Sequence, residues 1–162
     1  MTDIICNATP LIAFARIGQL PLMKTVVEKV VIPEAVAEEI ANYEGTMQGR
    51  INLPQESWVQ VESLQSNEQM QLLLPILDRG EAEVIAFALE KRAKLVLIDE
   101  LTGRKVAESL QLKVTGSVGL LIRAKELGEI TAVKPLLEAM HEAGMYFSQR
   151  FIDSVLQYLG EM

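Results

Sequence analysis

The chain of 162 residues carries one cysteine, Cys6, and one histidine, His141. A single cysteine excludes an internal disulfide and a cysteine cage for zinc. A single histidine without a nucleophile motif argues against a histidine-dependent hydrolase. His141 lies in a helical pattern over residues 132–143 and reads as a surface or packing residue. No apolar run reaches the roughly 18 residues that a membrane span needs. The opening MTDIICNATP lacks a basic segment followed by a cleavage site, so no signal peptide is expected and the cytoplasm is the simplest compartment. Basic residues are also scarce, 15 against 22 acidic, for a net charge of −7. Taken alone, that balance opposes nucleic-acid binding, because phosphate contacts need Lys and Arg. The deficit is uneven. Residues 79–125 hold 9 basic and 6 acidic side chains, against 4 and 10 in residues 1–78 and 2 and 6 in residues 126–162. The middle segment reads equally as a binding patch and as ordinary surface variation.

Hydrophobic residues make up 49% of the chain, enough for a sizeable core in one domain spanning residues 1–162. Four short apolar runs predict buried strands: Asp3–Cys6, Val30–Ile32, Leu95–Ile98 and Lys113–Val114. Helical patterns lie between and after them, which implies a mostly parallel sheet with helices on its faces. Thr9 before Pro10 reads as a helix cap with proline in the first helical position, closed by Gly18. Pro33 opens a second helix. Asp78-Arg-Gly-Glu81 has the spacing of a capping box, and Ser148 can cap a last helix through Leu159. Gly45–Ser57 is the longest expected loop. Thr115-Gly-Ser-Val-Gly119 reads as a tight turn into a helix and lacks the lysine and spacing of a phosphate loop. Late apolar positions, among them Leu137, Met140, Phe151 and Leu159, complete the core or supply a dimer surface.

Carboxylates stand where apolar residues belong. In KLVLIDELTG, Asp99 and Glu100 follow a strand directly. In the helix after Pro33, Glu39 shares a stripe with Val36, Ile40 and Tyr43, while Glu34, Glu38 and Asn42 take the solvent face. Further on, Glu81 heads the stripe of Val84, Ile85 and Ala88, and Glu83 lies about 200° around the helix from it. A carboxylate pressed towards a core is costly unless it is paired or binds a cation. Each has a plain explanation too: Glu81 completes the capping box, Glu39 snorkels from a helix end, and Asp99 caps a helix starting near Thr102. Together they suggest more. Ligands of open parallel sheets bind beyond the carboxyl ends of the strands. Asp99 and Asn7 follow such strands. An oxygen cluster of Asn7, Glu39, Glu81 and Asp99 there suits Mg²⁺ or Mn²⁺, ions that activate water for phosphodiester hydrolysis.

The chain resembles the PIN-domain family over nearly its whole length. The resemblance rests on Asn7-Ala-Thr-Pro-Leu-Ile12, Ile32-Pro-Glu-Ala-Val-Ala-Glu-Glu-Ile40, Asp78-Arg-Gly-Glu-Ala-Glu-Val-Ile-Ala-Phe-Ala88, Leu97-Ile-Asp-Glu-Leu-Thr-Gly-Arg104 and Val114-Thr-Gly116. It implies a three-layer α/β/α sandwich around a mostly parallel sheet of four to five strands. It also implies Mg²⁺- or Mn²⁺-dependent cleavage of single-stranded RNA, and, as in many small prokaryotic members, a toxin neutralised by a small antitoxin protein and a homodimer. Carried over by position, the family's acids fall on Asn7, Glu39, Glu81 and Asp99, with Glu83 and Glu100 as second choices for the third and fourth. Metal ligation falls on Glu39, Glu81, Asp99 and Glu100, and substrate contacts on Thr9 and Arg104. Arg104 either meets a phosphate or pairs with an acid.

The family's first position is most often Asp. An amide oxygen ligates metal but carries no charge. A weakened, non-catalytic module that binds RNA or a protein therefore stands as the alternative. A receiver-like domain phosphorylated on Asp99 lacks the expected acidic pair after the first strand.

Overall fold

The structure, a computed structural model, describes residues 3–162. Five strands form one all-parallel sheet: β1 (Ile4–Cys6), β2 (Val30–Pro33), β3 (Val59–Glu62), β4 (Leu95–Leu97) and β5 (Val114–Thr115), in the order β3-β2-β1-β4-β5. Ile5 lies opposite both Val31 and Val96, and Val96 opposite Val114. Strands covered on both faces need no polar alternation. Accordingly, β2 is buried at every position, as are Ile5, Cys6, Val96 and Leu97.

Helices fill both sides. α1 (Ala8–Arg16), α2 (Leu20–Val27), α7 (Ser117–Glu126) and α8 (Lys134–Glu142) pack on one another. α5 (Arg79–Lys91) packs across β1, β2 and β4, with α3 (Glu34–Ala41) and α4 (Glu68–Leu73) against it. α6 (Leu101–Ser109) lies against β5, and α9 (Gln149–Leu159) follows the Ser148 cap. The result is the three-layer α/β/α sandwich expected from the sequence. One continuous apolar cluster runs through it, including Phe14, Ile32, Phe87, Leu97, Leu121 and Leu137. Burying a side chain of that size contributes about 1.5–3 kcal/mol. Among the described residues no helix is long and apolar enough to cross a membrane.

Three expectations change. Asn7, not Thr9, caps α1: its Oδ1 accepts the Ala8 N–H at 2.9 Å. Pro10 is consequently the third helical residue, a place where the missing N–H costs nothing because the first turn has no internal acceptors. Asp99 does not cap α6; Glu100 occupies that position without a side-chain hydrogen bond. The segment 45–57 is also less open than a plain loop. It holds two short 3₁₀ turns, Met47–Gly49 and Leu53–Gln55, and leads into the unforeseen edge strand β3. The caps at Asp78 and Ser148 and the left-handed Gly18 (φ 68°) after α1 follow the reading.

Candidate functional site

Connections from β1 run to one side of the sheet and those from β4 to the other, so the strand order reverses between these two neighbours. Open α/β sheets form their ligand crevice at such a point, beyond the carboxyl ends. Asn7 follows β1, and its N–H donates to the Leu97 carbonyl of β4 at 2.9 Å. Asp99 stands two residues beyond Leu97. Asn7 and Asp99 thus flank the reversal.

Two helices bring acids to the same edge. Glu39 is exposed rather than pressed into the core, and it points from α3 towards the start of α5. A methyl group built on Gly80 would run into Glu39 Oε1 and lie 3.6 Å from Asn7 Oδ1. Gly80 therefore marks where Asn7 and Glu39 converge, and a side chain there would displace the Glu39 carboxylate. The next residue, Glu81, is 5% exposed. Its backbone N–H donates to Asp78 Oδ1 at 2.8 Å, while its own Oε2 is buried without a hydrogen-bond partner. A methyl on Gly103 of α6 would sit 2.7 Å from that oxygen. Buried polar atoms are rarely left unpaired.

Asp99 is held differently. Ser117, fully buried at the first position of α7, donates its N–H to Oδ1 and its hydroxyl to Oδ2, both at 2.7 Å. The positive end of a helix dipole favours a carboxylate in that place. Arg104 sits beside it and donates to the Ile98 carbonyl at 3.2 Å. Glu100 is exposed at the rim of the crevice, and Thr9 is half-buried on α1.

Glu83, the second choice for the third acid, is held apart from the crevice acids. It lies around the helix from Glu81 and is 5% exposed, because α3 covers that flank of α5. Its Oε1 accepts the Ala35 N–H at 3.1 Å. Ser117 and Glu83 are the residues that sequence reasoning missed in these roles. The turn at 115–119 was visible, but nothing in it told that the serine reaches back to Asp99.

Burial raises the proton affinity of three acids at this edge. Burial, then the negative charges of Asp78 and Glu100, push Glu81 up to about 7. Partial desolvation and the same two neighbours raise Glu39. Burial also raises Asp99, although Ser117 and Arg104 pull against it. Cys6, fully buried beneath Asp99, is pushed well above the ordinary thiol range by burial and by that charge. Its S–H donates to the Asn7 carbonyl, which makes it a packing residue.

Among the described residues no three His, Cys, Asp or Glu side chains sit close enough to enclose an ion as they stand. The donor chemistry nonetheless fits a hard cation. Every candidate ligand is an oxygen, one buried carboxylate oxygen has no partner, and the cluster is self-repelling. Beside it, a cleft of about 450 Å³ opens between Ile12, Ala35, Asn42, Tyr43 and Arg79. Another, of about 520 Å³ between Ile40 and residues 50–54, holds no carboxylate.

Fold and site together define a three-layer α/β/α protein with an acid-lined crevice at the carboxyl edge of its sheet. A family model described as PIN domain matches residues 3–161, and the chain belongs to the PIN-domain family. Its members are generally nucleases and typically use divalent metals. Comparison with curated proteins and with solved structures found no match.

Proposed function

We propose that the chain is an endoribonuclease that hydrolyses single-stranded RNA with the help of Mg²⁺ or Mn²⁺. The observation that carries this reading is the buried, unpartnered Oε2 of Glu81 at the sheet's carboxyl edge, with Asn7 and Glu39 converging on the neighbouring Gly80. Glu39, Glu81 and Asp99 would hold the ion, with Glu100 at the rim and Asn7 as a neutral oxygen donor. Divalent ions of this kind supply an activated water and offset charge developing on the phosphate. The chain's own residues orient and exclude. Ser117 keeps Asp99 facing the crevice, Arg104 steadies the backbone before Asp99, and Thr9 lies near Asn7. The 450 Å³ cleft gives a nucleotide a place next to Glu39, with Arg79 and Asn42 on its wall. One domain over residues 1–162, a homodimer, a cytoplasmic location and a toxin role with a small antitoxin partner belong to the same reading through the family resemblance.

A second reading is favoured by Asn7. Its side chain carries no charge, and its Oδ1 already caps α1. A PIN-like module that binds RNA or protein without cutting would follow. Incubation of single-stranded RNA with the chain and Mn²⁺, then with EDTA, separates the two. Hydrolysis is expected with Mn²⁺ only, and lost in Asp99→Asn with the fold intact. Cleavage that survives both chelation and that substitution defeats the metal role. Binding without cleavage favours the second reading.

A further inference from the structure

α3 begins with a difficulty. It starts at Glu34, directly after Pro33, which has no side-chain group to accept the free N–H groups of a first helical turn. The acceptor comes instead from 48 residues along the chain: Glu83 Oε1 on α5 accepts the Ala35 N–H at 3.1 Å. The other oxygen of Glu83 lies 3.6 Å from Arg79 Nε, one turn back on its own helix. Glu83 is 5% exposed, although a surface salt bridge alone would not require burial. A buried carboxylate against a helix N-terminus fixes one helix to another.

The two helices so joined carry two of the candidate acids. Glu39 reaches Gly80 from α3, and Glu81 follows Gly80 in α5. Glu83 is two residues from Glu81, about 200° around the helix, and its two oxygens are directed at the Ala35 N–H and at Arg79. We infer that Glu83 is a positioning residue. By capping α3 across the helix boundary it sets the approach of Glu39 to Glu81, and so the spacing of the oxygens offered to an ion. This rests on the reading that Glu39 and Glu81 share a divalent cation. The role needs an acceptor oxygen at the end of a side chain of glutamate length; it does not need a charge.

Two variants of the full chain separate reach from charge. Glu83→Asp keeps the charge and shortens the reach; Glu83→Gln keeps the reach and removes the charge. Hydrogen exchange at the Ala35 amide reads the cap, titration with MnCl₂ alone reads the ion site, and circular dichroism verifies the fold. Glu83→Asp is expected to speed exchange at Ala35 and to weaken Mn²⁺ binding about tenfold, the lower end for lost supporting contacts at metal sites. Glu83→Gln is expected to stay within about threefold of the wild type in both, since an amide oxygen accepts the same bond. Weakening in Glu83→Gln as large as in Glu83→Asp overturns the inference, because the reach of the acceptor oxygen would then not account for the loss. A folded Glu83→Asp with wild-type Mn²⁺ affinity overturns it as well, leaving a cap of purely structural use. A wild-type chain that binds no Mn²⁺ defeats the metal reading itself and the positioning role with it.

Discussion

Ser117 grips Asp99 by both carboxylate oxygens, one through its N–H and one through its hydroxyl, each at 2.7 Å. The pairing joins the end of β4 to the start of α7 and fixes the rotation of the acid. Ser117→Ala removes the hydroxyl donor and keeps the N–H. The loss of one buried hydrogen bond to a charged group is expected to cost about 1.5–3 kcal/mol of stability. Mn²⁺-dependent cleavage should fall about tenfold or more as Asp99 gains freedom. Thermal denaturation and a cleavage assay at matched folded fraction check the two effects.

The raised carboxyl of Glu81 ties stability to pH. Its folded value, about 7, exceeds the ordinary 4.5, so the fold holds a proton that the unfolded chain gives up. Its stabilising contribution is complete below pH 4.5 and is lost as pH rises to about 7. Glu39 and Asp99 act in the same direction. In EDTA the protein should therefore be more stable at pH 5 than at pH 8. Glu81→Gln should flatten the profile in denaturant titrations across that range, and a flat wild-type profile would contradict the assignment.

Gly80 offers a test that splits stability from activity. A methyl group there meets Glu39 Oε1, the far end of a flexible side chain that can swing aside. Alanine in a helix is favoured over glycine by roughly 0.5–1 kcal/mol. Gly80→Ala should thus melt at or above the wild-type temperature while Mn²⁺ affinity, measured calorimetrically, falls about tenfold.

Asn7→Asp restores a charge at the crevice and keeps a capping oxygen for α1. Mn²⁺ should bind more tightly and cleavage should rise. Without metal, the added carboxylate joins Glu39 and Glu81, so the variant should melt lower than the wild type at pH 8. Paired melts with EDTA and with MnCl₂ read both signs.

At Glu161 the sign reverses. Burial pushes Glu161 up, but Lys125 at 2.7 Å and the N–H groups of Val133 and Lys134 outweigh it and hold the group at about 2. Its stabilising contribution is present above pH 4.5 and disappears as pH falls to about 2. Glu161→Gln should cost about 1–3 kcal/mol at neutral pH. That cost should vanish in acid, which denaturant titrations at pH 7 and pH 2 can compare.

Three strands were legible because the inner strands of the sheet are written as unbroken apolar runs, as in Leu95-Val-Leu-Ile98, and the short edge strand β5 was found from Lys113-Val114. β3 was not, since it lies at the sheet edge: Val59 is buried while Gln60 and Val61 are exposed, and a glycine- and proline-containing loop precedes it. Glu39 and Glu81 stood out because helical spacing set them among Val36, Ile40, Val84 and Ile85. Glu83 could not be assigned in the same way. Its burial comes from α3, an element far away in sequence, and no local period records it. The cap at Asn7 was hidden by the Thr-Pro pair, whose local signal the Asn7 side chain overrides. Ser117 was hidden because its partner lies 18 residues earlier, across a strand and a helix.

The strand order has a consequence for the newly made chain. Ile5 can find Val96 only after the intervening polypeptide has left the ribosome, and Asp99 meets its serine later still. Pairings so distant in sequence close slowly. The crevice between β1 and β4 is thus completed only after most of the chain has been translated.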